Sequence, residues 1–253
     1  MKQLISYLAI IALLSCSKTS PELTSNPDPQ LLISNFAQEF FEFYDKEHQS
    51  YIFLEKYYLK EMPLDHKAIL KATIFDQNKN LINGELILNG ISYTKHPYVG
   101  YIYAGPEPQV ECFNQNNSLI FEDEAGNVLF DTDLNVPMEV AIHSEDTSIS
   151  IGTIINFNAA PSNSLGLACL AIFSTSNPYN VNFVNHPEVT NVIHVENDNG
   201  SFAITQELLK DIPNGAMIDL VLVRGAIKSI ETPNNSIGIL AYSNSILSTV
   251  VHR

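Results

Sequence analysis

Residues 165–174 read LGLACLAIFS and residues 216–224 read AMIDLVLVR, two runs that are apolar at odd and even positions alike. A strand with one face in water alternates apolar and polar side chains, so a run without alternation belongs under cover on both faces. Each falls well short of the roughly 18 apolar residues of a membrane-spanning helix. These two runs are expected at the centre of a β-sandwich or beneath its loops, and they set the reading of the rest.

Working outward, residues 138–143, 149–158, 192–195, 201–205 and 236–251 are further apolar segments, separated by Asn, Gly, Asp and Pro. Short segments about ten residues apart, with turn signals between them, mark an all-β sandwich or barrel. The pattern begins near Lys67. Residues 68–75 alternate, Asp76-Gln77-Asn78-Lys79-Asn80 turns, and residues 84–88 return before the turn dipeptide Asn89-Gly90. A similar hairpin follows, with residues 118–121 and 128–130 joined through Glu124-Ala125-Gly126-Asn127. The likeness of the two hairpins follows from shared turn chemistry. Residues 93–110, rich in Tyr, Gly and Pro, read as an irregular excursion or an edge strand with long loops. Residues 31–62 are read as aromatic-rich strands with one short helix, which Ser34 would cap.

Asn135-Val136-Pro137 interrupts the pattern, because proline cannot continue a central ladder. The expected architecture is all-β, with two tandem β-sandwich modules at residues 31–136 and 137–253. Within the second, Leu208-Leu209-Lys210-Asp211-Ile212-Pro213-Asn214-Gly215 resembles the corner that leads into a penultimate strand in immunoglobulin-like and fibronectin-type sandwiches. That resemblance implies a fold and carries no functional motif.

Composition bounds the partners. The chain has 253 residues, is 45% apolar, and carries 13 Lys+Arg against 28 Asp+Glu, a formal net charge of -15. So acidic a chain, without a basic cluster, repels polyphosphate, and nucleic acid is not expected as a ligand.

The first residues, MKQLISYLAIIALLSCSK, place Lys2 before an apolar run from Leu4 to Leu14, then Ser15 and Cys16. A cationic start, a short apolar stretch and a small residue form a secretory signal. Leu13-Leu14-Ser15-Cys16 resembles the lipobox of bacterial cell-envelope lipoproteins. The resemblance implies that residues 1–15 are removed and that Cys16 carries the lipid which anchors the protein to the membrane. Ser rather than Asp at position 17 implies, on the same grounds, the outer membrane. Residues 17–30, SKTSPELTSNPDPQ, lack apolar periodicity and read as a flexible tether.

The chemistry-bearing residues are scattered. Cys112 and Cys169 are expected as two buried free thiols, since neither has a base nearby in sequence. The seven histidines form no H-x-x-x-H pair, and no metal or other cofactor is expected. Glu122-Asp123-Glu124 and Asp131-Thr132-Asp133 flank one hairpin and read as a solvated turn in preference to a calcium loop. G-x-S-x-G, P-loop and dinucleotide-binding glycine patterns are absent. Tyr93, Tyr98, Tyr101 and Tyr103 are the candidate binding residues, aromatic rings with polar tips suited to a glycan or an envelope protein. The expected role is that of a non-catalytic, lipid-anchored component of an envelope assembly. A glycan-binding surface lipoprotein is the alternative, and an exported hydrolase the third reading.

Overall fold

The structure is a computed structural model and describes residues 43, 50–58, 69–76, 78–93, 101–102, 112–160, 166–232 and 235–253. Strands dominate it. The first five are β1 (Ser50–Tyr58), β2 (Ile69–Thr73), β3 (Gly84–Leu88), β4 (Ile91–Tyr93) and β5 (Tyr101–Ile102). Next come β6 (Gln115–Asp123), β7 (Val128–Val136), β8 (Ser148–Ile149), β9 (Ile154–Asn156) and β10 (Leu167–Phe173). A 3₁₀ helix, η1 (Pro178–Phe183), precedes β11 (Val189–His194), β12 (Ser201–Ala203), β13 (Met217–Thr232) and β14 (Asn235–Val251). Among the described residues no helix is long and apolar enough to cross a membrane.

The two uniformly apolar runs become β10 and the first half of β13, adjacent in one sheet of order β11-β10-β13-β14-β1-β2-β5, with β8 also on β14. Both faces of these strands are covered, as their lack of alternation requires. On one face Leu167, Cys169, Ala171, Leu220 and Leu222 join a core closed by Ile155, Leu208 and Ile212. On the other, Ala168, Leu170, Val221 and Val223 meet Leu240, Tyr242, Phe53 and Phe43. Phe43 is helical and sets its ring edge against Phe53, 5.5 Å between centroids.

β13 and β14 stay in register from Met217↔Val250 to Thr232↔Asn235, longer than the expected strand at 216–224. At about 3.3 Å per residue the pair is roughly 50 Å long, enough to serve two cores in succession. The first half of β14 pairs in parallel with β1, from Ser50↔Ile237 to Tyr58↔Ser245. Its Ile237, Ile239 and Ala241 pack with Ile52, Leu54 and Leu70 against Leu86, Leu119, Phe121 and Leu134. The last four belong to a second sheet, β4-β3-β6-β7. The ladder of β7 ends at Val136, before Pro137, where the boundary between 31–136 and 137–253 was expected. Across that point the large sheet runs on, and β14 contributes to the core packed by β1, β2, β3, β6 and β7.

The hairpin turns follow their residues. Asn89 (φ 52°) and Gly90 (φ 79°) both take positive φ, the demand of a two-residue type I′ turn between β3 and β4. Gly84 is fixed by proximity: a Cβ there would lie 2.8 Å from Phe121 Cζ and closer still to the Glu122 carbonyl oxygen. Residues 138–143, expected as a strand, instead cross the face of the sheet. Val140 and Ile142 donate their N–H groups to the hydroxyls of Ser243 (2.9 Å) and Ser245 (3.0 Å), while Ile142 also makes an isolated antiparallel bridge to Phe157. Residues 149–158, expected as one strand, break at Gly152 (φ 88°) into β8 and β9.

Candidate functional site

Cys16, Tyr98 and Tyr103 lie outside the described residues, and of Tyr101 only the backbone is described, in β5 opposite Ala72. Tyr93 is in the core, 4% exposed, facing Leu86 across the β3–β4 hairpin. Its ring therefore packs the core that holds Leu86, Leu119 and Phe121 and is not offered to a ligand outside.

Cys112 and Cys169 are both buried free thiols. Burial pushes the Cys169 thiol far above its usual range, which keeps it protonated and removes the thiolate a nucleophile needs. The acidic residues beside β6 form a turn. Asp123 accepts hydrogen bonds from the N–H groups of Ala125 (2.9 Å) and Asn127 (2.8 Å) and from the Asn127 side chain (2.9 Å). These bonds, that from the Asn127 side chain first, hold the Asp123 carboxyl below its usual pKa. Among the described residues no three His, Cys, Asp or Glu side chains are grouped as metal ligands.

Arg224 is the fully buried charge of the large sheet, on the same face as Leu220 and Leu222 and next along it towards the first core. Its Nη1 donates to the carbonyls of Glu139 (2.9 Å) and Met138 (3.3 Å), and Nη2 to that of Asn158 (2.5 Å). The same Nη2 meets Asp198 Oδ1 at 2.6 Å. The guanidinium also lies 5.9 Å from the centroid of the Phe157 ring. Asn158 completes the junction, accepting from Ala141 N–H and donating to the Glu139 carbonyl, both at 2.6 Å. Arg224 is closed to solvent and gives three of its four Nη bonds to backbone carbonyls and one to Asp198, while its Nε and Asp198 Oδ2 have no hydrogen-bond partner among the described residues, so the cluster acts as a clamp on residues 138–142 and 158.

The open surface is elsewhere, on the loop between β10 and β11. Asn177 caps η1 by accepting from Tyr179 N–H at 3.0 Å, and Pro178 opens the helix where a missing N–H costs nothing. In a 3₁₀ helix residues three apart share a face. Asn180 and Phe183 turn inward. The Asn180 amide bonds both backbone groups of Met217, accepting from its N–H at 2.8 Å and donating to its carbonyl at 2.9 Å, and donates to the Ser174 carbonyl as well. Phe183 sets its ring edge against Phe173. The same spacing turns Val181 and Val184 outward at 66% and 69% exposed, with Tyr179 at 73%. A firmly held loop thus presents three apolar side chains to water.

In sequence the tip falls in a run without Asp, Glu, Lys or Arg, residues 147–187, and Glu188, bonded to Ser174 Oγ at 2.7 Å, is the charge that closes the loop. Exposed Ile151 and Ile154 fall in the same stretch, and of the described exposed large apolar residues only Ile91 and Val128 lie outside it. Ile149 pairs with Val251 and Asn180 binds Met217, the partner of Val250, so both groups sit at one end of the long hairpin. Attention to Tyr clusters misses this surface. The signal that finds it is the uncharged run, conspicuous in a chain of net charge -15.

Comparison with known proteins finds no family model that matches the chain and no curated protein that matches it.

Proposed function

We propose that this is a lipid-anchored cell-envelope protein, placed at the outer membrane, that acts as a non-catalytic structural or binding component of an envelope assembly. Cys16, with the apolar run before it and the likeness of Leu13-Leu14-Ser15-Cys16 to a lipobox, supports the location. The observation that carries the role is the loop at Tyr179, Val181 and Val184, where buried Asn180 and half-buried Phe183 hold three apolar side chains open to water. Large apolar side chains gathered on one mount mark an interaction site. Among the described residues, three groups considered for chemistry have structural roles: Arg224 clamps backbone, Asp123 closes a turn, and the Cys169 thiol is buried and held protonated.

Replacing Cys16 with Ala tests the anchor. Acyl labelling should disappear and the protein should leave the membrane fraction; unchanged fractionation refutes the assignment. Turnover of any sugar, ester or peptide substrate by the pure protein refutes the non-catalytic role.

A further inference from the structure

We infer that the tip of the β10–β11 loop, Tyr179 with Val181 and Val184, docks on the surface of a zwitterionic lipid bilayer, the one in which Cys16 is anchored. This deepens the reading above and rests on its lipid anchor.

Three observations choose the bilayer over a protein. The first is shape. Side chains exposed at 66% to 73% project clear of their neighbours. A stable protein interface takes about 800 Å² from each partner, and three side chains on one turn fall well short of that. A fluid interface accepts a small projecting tip without matching relief, and tyrosine favours the headgroup level. The second is charge. With a formal net charge of -15, the chain is repelled by anionic surfaces, whereas η1 itself carries no charge to be desolvated on a neutral one and the loop's Glu188 is bonded to Ser174 at its base. Asn182 and Asn185, exposed next to Val181 and Val184 in the chain, carry neutral amides that can bond headgroups.

The third is reach. Phe43 packs on Phe53, whose partner across the ladder is Leu240. From Leu240 to Val250, beside the tip, β14 covers about 33 Å. The chain from Cys16 to Phe43 extends to at most about 90 Å. A lipid on Cys16 therefore leaves ample chain for the tip to face the same membrane. Three side chains alone hold a bilayer weakly, but an acyl anchor keeps them at high effective concentration beside it.

The chain has no tryptophan, so Tyr179→Trp creates a unique reporter. The acylated full chain is reconstituted in phosphatidylcholine vesicles, and acyl mass on Cys16, co-sedimentation and tryptophan emission are read from one preparation. The expected result is a blue-shifted emission from the Tyr179→Trp variant that brominated lipid quenches. Val128→Trp, in an exposed strand end at the β6–β7 turn, should stay unshifted and unquenched. Adding Val181→Asp and Val184→Asp to Tyr179→Trp should bring its quenching down to that background while the protein still co-sediments. Protein that is acylated and co-sediments with the emission of the tip reporter unchanged overturns the docking and leaves the anchor standing; so does a shift seen only with a second protein. Protein without acyl mass on Cys16 overturns the anchor, and the docking with it.

Discussion

Arg224 and Asn180 are both fully buried polar side chains, and each holds a stretch of irregular chain by its backbone. Arg224 reaches three carbonyls and Asp198; Asn180 bonds both groups of Met217 and the Ser174 carbonyl. The outcomes are opposite. Around Arg224 the held segments close over the sheet between two cores. Around Asn180 the held loop turns Val181 and Val184 outward and keeps them there. The difference teaches that rigidity and closure are separate products of buried hydrogen bonding. A charge buried this fully needs a counter-charge and several acceptors gathered around it, whereas a neutral amide can fix a loop from one side and leave the other side free.

If that contrast is right, removing the charge is the most damaging change in either region. Arg224→Ala leaves Asp198 buried without its counter-charge and the Met138 and Asn158 carbonyls without the guanidinium donor, and should cost about 3–5 kcal/mol in urea unfolding. Arg224→Lys should not restore the loss, because a single ammonium cannot span the acceptors that the planar fork reaches. A loss smaller than that for Asn180 would break the comparison.

Asn180→Ala comes next. It strands the N–H and carbonyl of Met217 under η1, for an expected cost of about 1–3 kcal/mol. Its signature is local: hydrogen exchange should quicken at Met217 and through residues 174–186 before it does in β13 beyond Leu222. Uniform acceleration across β13 would mean that the loop is integral to the core.

The unequal legibility of these regions in the sequence has a physical cause. Uniform apolar runs report burial directly, so β10 and the start of β13 were readable from 165–174 and 216–224. Two-residue turns are written in residues that tolerate positive φ, so Asn89-Gly90 was readable too. What periodicity cannot carry is the partner of a strand. Nothing local in β14 announces that its first half pairs in parallel with β1, nearly two hundred residues earlier. Nor does an isolated Arg in an apolar run say which carbonyls will surround it. The tip failed for a third reason: Tyr179, Val181 and Val184 look like core residues until the 3₁₀ helix separates their face from that of Asn180 and Phe183. Tyr93 failed in reverse, because an aromatic in a Gly- and Pro-rich stretch looks exposed until the hairpin turns it inward.

Two turns sharpen the point that hydrogen bonds need no burial to fix geometry. Asp76 accepts from the N–H groups of Asn78 and Asn80, both at 2.8 Å, as Asp123 does from Ala125 and Asn127. Both loops put their fourth residue at positive φ, Lys79 at 63° and Gly126 at 80°. Lysine is strained there and glycine is not, so Lys79→Gly should stabilise by about 1 kcal/mol and Gly126→Ala should cost about as much. Hydrogen bonds, first that from the Asn side chain, hold the Asp76 and Asp123 carboxyls below their usual values. With the folded pKa lowered, each contribution is complete above the unfolded value near 3.9 and is lost as pH falls through the folded one. The Asp76→Asn, Asp123→Asn double variant should therefore lose less of its urea midpoint between pH 7 and pH 3 than the parent does. An equal loss would show that the turns do not respond to acid.

The smallest expected effect separates the tip from everything that holds it. Tyr179, Val181 and Val184 are each more than 60% exposed, so little of their apolar surface leaves water on folding. Replacing all three with Ser removes no buried contact and no anchoring bond, since Asn180 and Phe183 carry the loop. Stability should stay within about 0.5 kcal/mol of the parent, the range of ordinary surface substitutions. Because the change also lowers exposed apolar area, solubility should rise if anything. A loss as large as that of Asn180→Ala would mean that these side chains fold back onto the protein in solution, and the division of η1 into a holding face and an offered face would fail.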